Sequence, residues 1–185
     1  MSKNVSDQLV EVLVEAGIQR IYAVTGDSLN HLNAAVHRNG KIQWIHVRHE
    51  ETAAFAAGAE AQLNGLACCA GSSGPGHVHL INGLYDAHRS SASVLAVAST
   101  IPTKEFGTSF FQETNTIKLF DDCSCYNQIA ATPAQLLRML QGCLQHTWQL
   151  CRCSSHLVVT TAIIKKFDRV CFLKISCSKF FGWDR

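Results

Sequence analysis

The chain has 185 residues, 47% of them hydrophobic and 16% charged, with a formal net charge of +2. That is enough for one domain with a real core and too little for two ordinary ones. The balance excludes a disordered or fibrous chain and implies no general attraction to nucleic acid or an anionic membrane.

Apolar residues at Val5, Leu9, Val12, Leu13 and Ala16 recur at helical spacing, and Gly17 closes the run. Arg20 to Val24 reads as a short buried strand ended by Thr25-Gly26-Asp27-Ser28, where Asp27 or Ser28 can cap a helix over 29–38. A second strand is expected over 42–47 and an alanine-rich helix over 50–64. Leu66 to Ala70 is a third strand, broken by Gly71-Ser72-Ser73-Gly74-Pro75-Gly76 and followed by a helix from about His77 to Ser90. A fourth strand covers 94–98. After a loop containing Phe110-Phe111-Gln112-Glu113 come a short helix over 115–120, a strand over 126–130 and a helix from Pro133 to about Leu144. Strands that are short and wholly apolar, alternating with helices, predict an α/β fold: a parallel sheet flanked by helices on both faces. Ligands of such sheets sit at the carboxyl ends of the strands. The loops 25–28, 49–51, 71–76 and 111–113 are therefore expected along one edge.

Composition changes near residue 142. Residues 1–142 hold 9 Lys+Arg against 12 Asp+Glu, whereas 143–185 hold 7 against 2 and five of the nine cysteines. The division drawn is a domain over 1–142 and an atypical Cys- and Lys-rich tail over 143–185. The change is read as the mark of a reading-frame shift or a disrupted gene, so the tail is not expected to complete the fold. Its β-prone run 157–164 is a candidate to fill a vacant sheet edge. That run is too short to cross a membrane. With no signal peptide and an odd cysteine count, a cytoplasmic protein with free thiols is expected.

The glycine-rich turn 71–76 matches neither GxxxxGK[ST] nor GxGxxG, so it reads as a place of close backbone approach, as suited to a flat organic ring as to a phosphate. Glu50 and Glu51 open the alanine-rich helix. Acidic residues in a first turn favour the helix dipole by a few tenths of a kcal/mol. Helical geometry also separates the pair by about 100°, so one can be solvated while the other points into the strand-end cleft. A carboxylate sheltered there, with its charged form disfavoured, is suited to proton exchange with a ring nitrogen. Phe111 and Gln112 could wall a small pocket. His31, His37, His46, His49, His77, His79 and His88 show no metal spacing. Cys143, His146, Cys151, Cys153 and His156 have ligand chemistry but not the spacing of a structural zinc site, so no metal site is expected.

Four segments, GIQRIYAVTGDSLNHLNAA, HVRHEETAAFAAGAEAQLNG, CAGSSGPGHVHLINGLYDAHR and FGTSFFQETN, resemble in order and spacing the N-terminal pyrimidine-binding domain of thiamine diphosphate enzymes. The resemblance spans about residues 4–142. Within that superfamily the chain is similar to bacterial pyruvate oxidase, the quinone-linked pyruvate dehydrogenase, and HLINGLYDAHR favours that group over acetolactate synthase. The resemblance implies that Glu50 is the catalytic glutamate, bonded to N1′ of the aminopyrimidine so that its imino form can take the thiazolium C2 proton. It places Thr25, Gly26, Ser72, Pro75 and His79 in the pyrimidine pocket, and Phe111 and Gln112 facing the reacting carbon. Family members often carry Asn where His77 and His79 flank the turn.

The implied whole reaction converts pyruvate to acetate and carbon dioxide, with electrons passing to FAD and then to a membrane quinone. The family holds FAD, and the diphosphate with magnesium, in further domains. Neither their GDG motif nor the family's membrane-binding tail is found in this sequence. The chain is thus expected to supply a half-site, inactive alone, in a homo-oligomer or paired with a diphosphate-binding domain. An acetolactate synthase-like carboligase and a non-catalytic dimerisation module are the alternatives.

Overall fold

The computed structural model describes residues 4–146 and the backbone of 155–160. Helix α1 (Val5–Glu15) starts in a capping box, Asn4 accepting from Asp7 N–H while the Asp7 carboxylate accepts from Asn4 N–H. It ends as expected at Gly17, whose φ of 85° would strain any residue with a Cβ. Strand β1 (Arg20–Ala23) leads through a 3-10 turn to α2 (Asn30–Asn39), and β2 (Gln43–His46) leads to α3 (Glu50–Asn64). Strand β3 (Ala67–Gly71) is followed by α4 (Pro75–His79), α5 (Ile81–Arg89) and β4 (Val94–Thr100). The described chain continues with α6 (Thr116–Phe120), β5 (Tyr126–Ala130), α7 (Pro133–Gln145) and β6 (Ser155–Thr160).

Every strand pairing is parallel and the order is β2-β1-β3-β4-β6-β5. Alternation along β3 divides the core into two layers. Cys68 and Ala70 face α1, α2 and α7, packing with Leu9, Leu13, Leu32, Leu136 and Leu140. Ala67 and Cys69 face α3 and α5, with Ala53, Ala54, Ala57, Leu84 and Phe120. Each fully buried leucine contributes about 1.5–3 kcal/mol relative to exposure. On the second face alanines let α3 lie close to the sheet and to α5.

Some expectations need correction. Neither Asp27 nor Ser28 caps α2: residues 27–29 form the 3-10 turn, and no side chain caps either helix start. The helix expected from His77 to Ser90 is two helices that begin at Pro75 and meet at Leu80, where Leu80 N–H bonds to His77 O at 3.3 Å in a tighter turn. Strand β4 runs on through Ser99 and Thr100, both buried.

The tail strand is not at an edge. Its Leu157 pairs with Val97 on one side and Gln128 on the other, so β6 sits between β4 and β5 and satisfies backbone groups of both. Residues 155–160 therefore do take part in the fold, while 161–164 of the run expected to pair lie outside the described residues. Helix α7 also runs through the 142/143 boundary, and Cys143 is buried in the first core layer.

Cys68, Cys69, Cys123 and Cys143 are buried thiols, but Cys125 is disulfide-bonded, so the expectation of thiols throughout fails there. Among the described residues no helix is long and apolar enough to cross a membrane.

Candidate functional site

The loops that follow β1, β3 and β4 meet at the carboxyl edge of the sheet, around the first turn of α3. Ser28 Oγ lies 2.8 Å from Ser72 Oγ and accepts a 2.9 Å bond from Ser73 N–H. Ser99 Oγ donates to Ser28 O at 3.0 Å, and Ser73 Oγ donates to Gln112 Oε1 at 3.0 Å. The loops are thus laced by short hydroxyl side chains rather than by packing. Gly26 is pressed against Ser72, so a Cβ at Gly26 would collide with the Ser72 side chain.

Glu50 is the first residue of α3 and only 8% exposed. Its Oε1 packs close to Gly76, where a Cβ would be crowded at 3.3 Å from Glu50 Oε1 and 3.0 Å from Ser72 Cβ. Its Oε2 is 3.1 Å from His79 Nδ1. The His79 ring stacks on His49, with centroids 4.5 Å apart and planes at 24°. His49 is the N-cap of α3, its Nδ1 accepting a long 3.3 Å bond from Glu51 N–H. Glu51 turns outward and accepts from Asn82 Nδ2 at 3.0 Å. The adjacent carboxylates diverge, one sheltered and one wet, as helical geometry requires.

The structure brings Gly26, Glu50, Ser72 and His79 together. Thr25 and Pro75 border the same edge but are exposed. Gln112 joins through Ser73 and packs on Gly74, where a Cβ would come 3.1 Å from that of Gln112. Phe111 projects outward, 84% exposed, with its ring 5.3 Å from Phe110. Ser28, Ser73 and Thr114 carry no signal of their own in the sequence. Ser28 is read there only as a candidate helix cap, yet it accepts or shares three of the bonds that join the loops.

His77 is fully buried, its Nδ1 2.9 Å from Ser99 O and its Nε2 2.5 Å from Thr114 Oγ1. Burial pushes its pKa below the ordinary value, and hydrogen bonds with the Ser99 and Ser72 backbone only partly offset this. It braces the loop after β4.

Sequence spacing reveals no metal ligands, yet the fold gathers donor atoms of His49, Glu50 and His79 within 4.8 Å of one another. Of the tail ligands considered for zinc, Cys151 and Cys153 lie outside the described residues.

Residues 3–119 match the family model described as thiamine pyrophosphate enzyme, N-terminal TPP binding domain. The chain belongs to this family. It is 54% identical over 142 residues to a 42.6 kDa protein from the isoamylase 3′ region of Pseudomonas amyloderamosa, covering 76% of this chain and 36% of that one. It is 35% identical over 142 residues to pyruvate oxidase of Lactiplantibacillus plantarum, covering 76% and 24%. Against acetolactate synthase 3 of Brassica napus it is 30% identical over 137 residues, covering 74% and 21%. The chain spans little more than a third of the first relative and about a quarter or less of the other two.

Proposed function

We propose that the chain supplies the pyrimidine-binding half of a thiamine diphosphate site in an enzyme of pyruvate oxidase type, with Glu50 as its proton-exchanging group. The observation that carries this is the placement of Glu50: buried at a helix start, with Oε1 close against the glycine-rich turn at Gly76. A side chain at Gly76 would crowd that carboxylate, so the glycine keeps its place beside the turn. When bound, thiamine diphosphate supplies a carbon nucleophile at its thiazolium C2.

The residues of this chain do the rest of the work at the pyrimidine end. Glu50 would be the group that exchanges a proton with the ring nitrogen. His79 holds Glu50 Oε2, and the serine lattice of Ser28, Ser72 and Ser73 fixes the loops around it. Thr25, Gly26 and Pro75 complete the rim of the pyrimidine pocket. Phe111 and Gln112 face the reacting carbon, the exposed Phe111 ring being free to meet a second domain or subunit there.

This sequence has no GDG motif, so the diphosphate and its magnesium fall to another domain or chain, and FAD and the quinone likewise. Alone the half-site is inactive. The oxidase reading rests on the HLINGLYDAHR segment and on the identity to the L. plantarum pyruvate oxidase.

A chimera tests the proposal. Residues 1–142 replace the matching segment of that pyruvate oxidase, and deuterium exchange at C2 and pyruvate turnover are measured. Glu50→Gln should slow exchange by about 10²–10⁴-fold, the usual worth of a general acid–base group, while Glu51→Gln changes it a few-fold at most. Equal effects of the two substitutions would refute the assignment. Acetolactate as the product would move the chain to the carboligase group.

A further inference from the structure

The segment that carries Phe111 and Gln112 is pinned by a carboxylate outside the Glu50 cluster. We infer that Glu113 is a positioning residue: it staples the loop after β4 so that Phe111 stays turned out and Gln112 turned in. That these two side chains face the reacting carbon rests on the proposed function. The staple itself stands on the chain's own geometry.

Both oxygens of Glu113 are taken by backbone. Oε1 accepts from Gly107 N–H at 2.6 Å and Oε2 from Ser109 N–H at 3.0 Å. Gly107 and Ser109 have φ of 77° and 59°, and left-handed residues of this kind turn neighbouring N–H groups toward one point. Glycine adopts that geometry freely, whereas a serine there is strained and stays only where something holds it. The carboxylate is what holds it, through charge-assisted bonds to both donors. Glu113 N–H closes the turn by donating to Phe110 O at 2.7 Å.

The residues on either side of Glu113 are tied inward. Gln112 Oε1 accepts from Ser73 Oγ at 3.0 Å, and Thr114 Oγ1 lies 2.5 Å from Nε2 of the buried His77. Phe111 is left 84% exposed, while Phe110, whose ring lies 5.3 Å away, is 37% exposed. A slack loop would fold the outer ring back over its neighbour, because burying aromatic surface is favourable. The staple denies it that motion and keeps the ring presented.

Glu113→Gln keeps the side-chain length but puts an NH₂ group, which cannot accept, in place of one oxygen. Glu105→Gln removes the same charge from the same loop, where Glu105 meets Lys104 Nζ at 3.2 Å, and serves as the control.

The first test uses the full 185-residue chain. In the parent, the Gly107 and Ser109 amides should exchange at least about tenfold more slowly than unprotected peptide amides. Glu113→Gln should abolish that protection and speed chymotrypsin cleavage after Phe110 and Phe111 at least about tenfold, the worth of one charge-assisted bond. Glu105→Gln should do neither. Unprotected amides in the parent, or a Glu113→Gln chain cut no faster, would overturn the staple.

The pyruvate oxidase chimera then reads what the staple is for. Glu113→Gln should raise KM for pyruvate at least about tenfold and change kcat a few-fold at most. Deuterium exchange at C2 should stay within about twofold of the parent, because it depends on Glu50. A loosened loop with an unchanged KM would overturn the positioning role. Exchange indifferent to Glu50→Gln would instead sink the cofactor reading, and amide protection and cleavage would still decide the staple.

Discussion

Ser28 Oγ and Ser72 Oγ stand 2.8 Å apart, joining the loop after β1 to the loop after β3 across 44 residues of sequence. The same Ser28 oxygen accepts from the buried Ser73 N–H, so one hydroxyl sets the spacing of the two loops. Ser28→Ala strands a backbone donor and should cost about 1–3 kcal/mol. Gly26→Ala should be as damaging for a different reason, since its methyl drives into the Ser72 side chain. Urea denaturation reads both. An unchanged midpoint for Ser28→Ala would show that the hydroxyl is not structural.

Packing between α3 and α5 gives a contrasting pair. A Cβ at Gly83 would lie 2.5 Å from Ala54 Cβ and 2.6 Å from Phe55 N, and the α3 backbone cannot yield as a flexible side chain would. Gly83→Ala should destabilise by about 1–3 kcal/mol. At Gly58 the nearest neighbour would be Ala87 Cβ at 3.5 Å, ordinary contact. Gly58→Ala should therefore gain up to about 1 kcal/mol from helix propensity. Thermal melts of the two variants should shift in opposite directions.

Thiol chemistry should follow burial. Cys69 is pushed up to about 12 and Cys123 to about 11, burial being the main cause in both, and Cys68 is raised well above its ordinary value. At pH 8 these groups are protonated as well as hidden. Iodoacetamide followed by mass spectrometry should leave all three unmodified in the native protein and modify all three in urea. Rapid native labelling of Cys69 would contradict the core assignment.

Much of this was legible because it is local. The strand over 126–130 and the start of α7 at Pro133 follow directly from apolar runs and turn residues. What sequence could not show depends on partners far along the chain. Ser99 and Thr100 look like the start of a loop, yet belong to β4 because they pair with Val159 and Thr160 of β6, some sixty residues away. Glu60 is buried because Arg20 Nη1 meets its Oε1 at 2.5 Å across 40 residues. The run beginning at Leu157 reveals a strand but not its slot, since its register is set by β4 and β5 together. At the site, the divergence of Glu50 and Glu51 was legible from helical geometry, but not which of the two would be sheltered. The stacking of His49 on His79 was not, because thirty residues separate them and only the fold closes the gap.

The buried His77 makes stability depend on pH in a defined direction. Ser99 O can only accept, so Nδ1 carries the ring proton and Nε2 takes the Thr114 hydroxyl as donor. Burial holds the folded pKa below the ordinary 6.5. Between the two values the unfolded chain binds the extra proton and the folded chain does not. Stability from this group is therefore complete above about pH 6.5 and declines as pH falls toward the folded pKa, by at most about 1.4 kcal/mol per pH unit. His77→Gln cannot titrate, so although less stable at pH 7.5 it should lose less between pH 7.5 and 5. Urea midpoints at the two pH values give the comparison; a parent and variant that decline in parallel would mean that His77 is not the group being protonated.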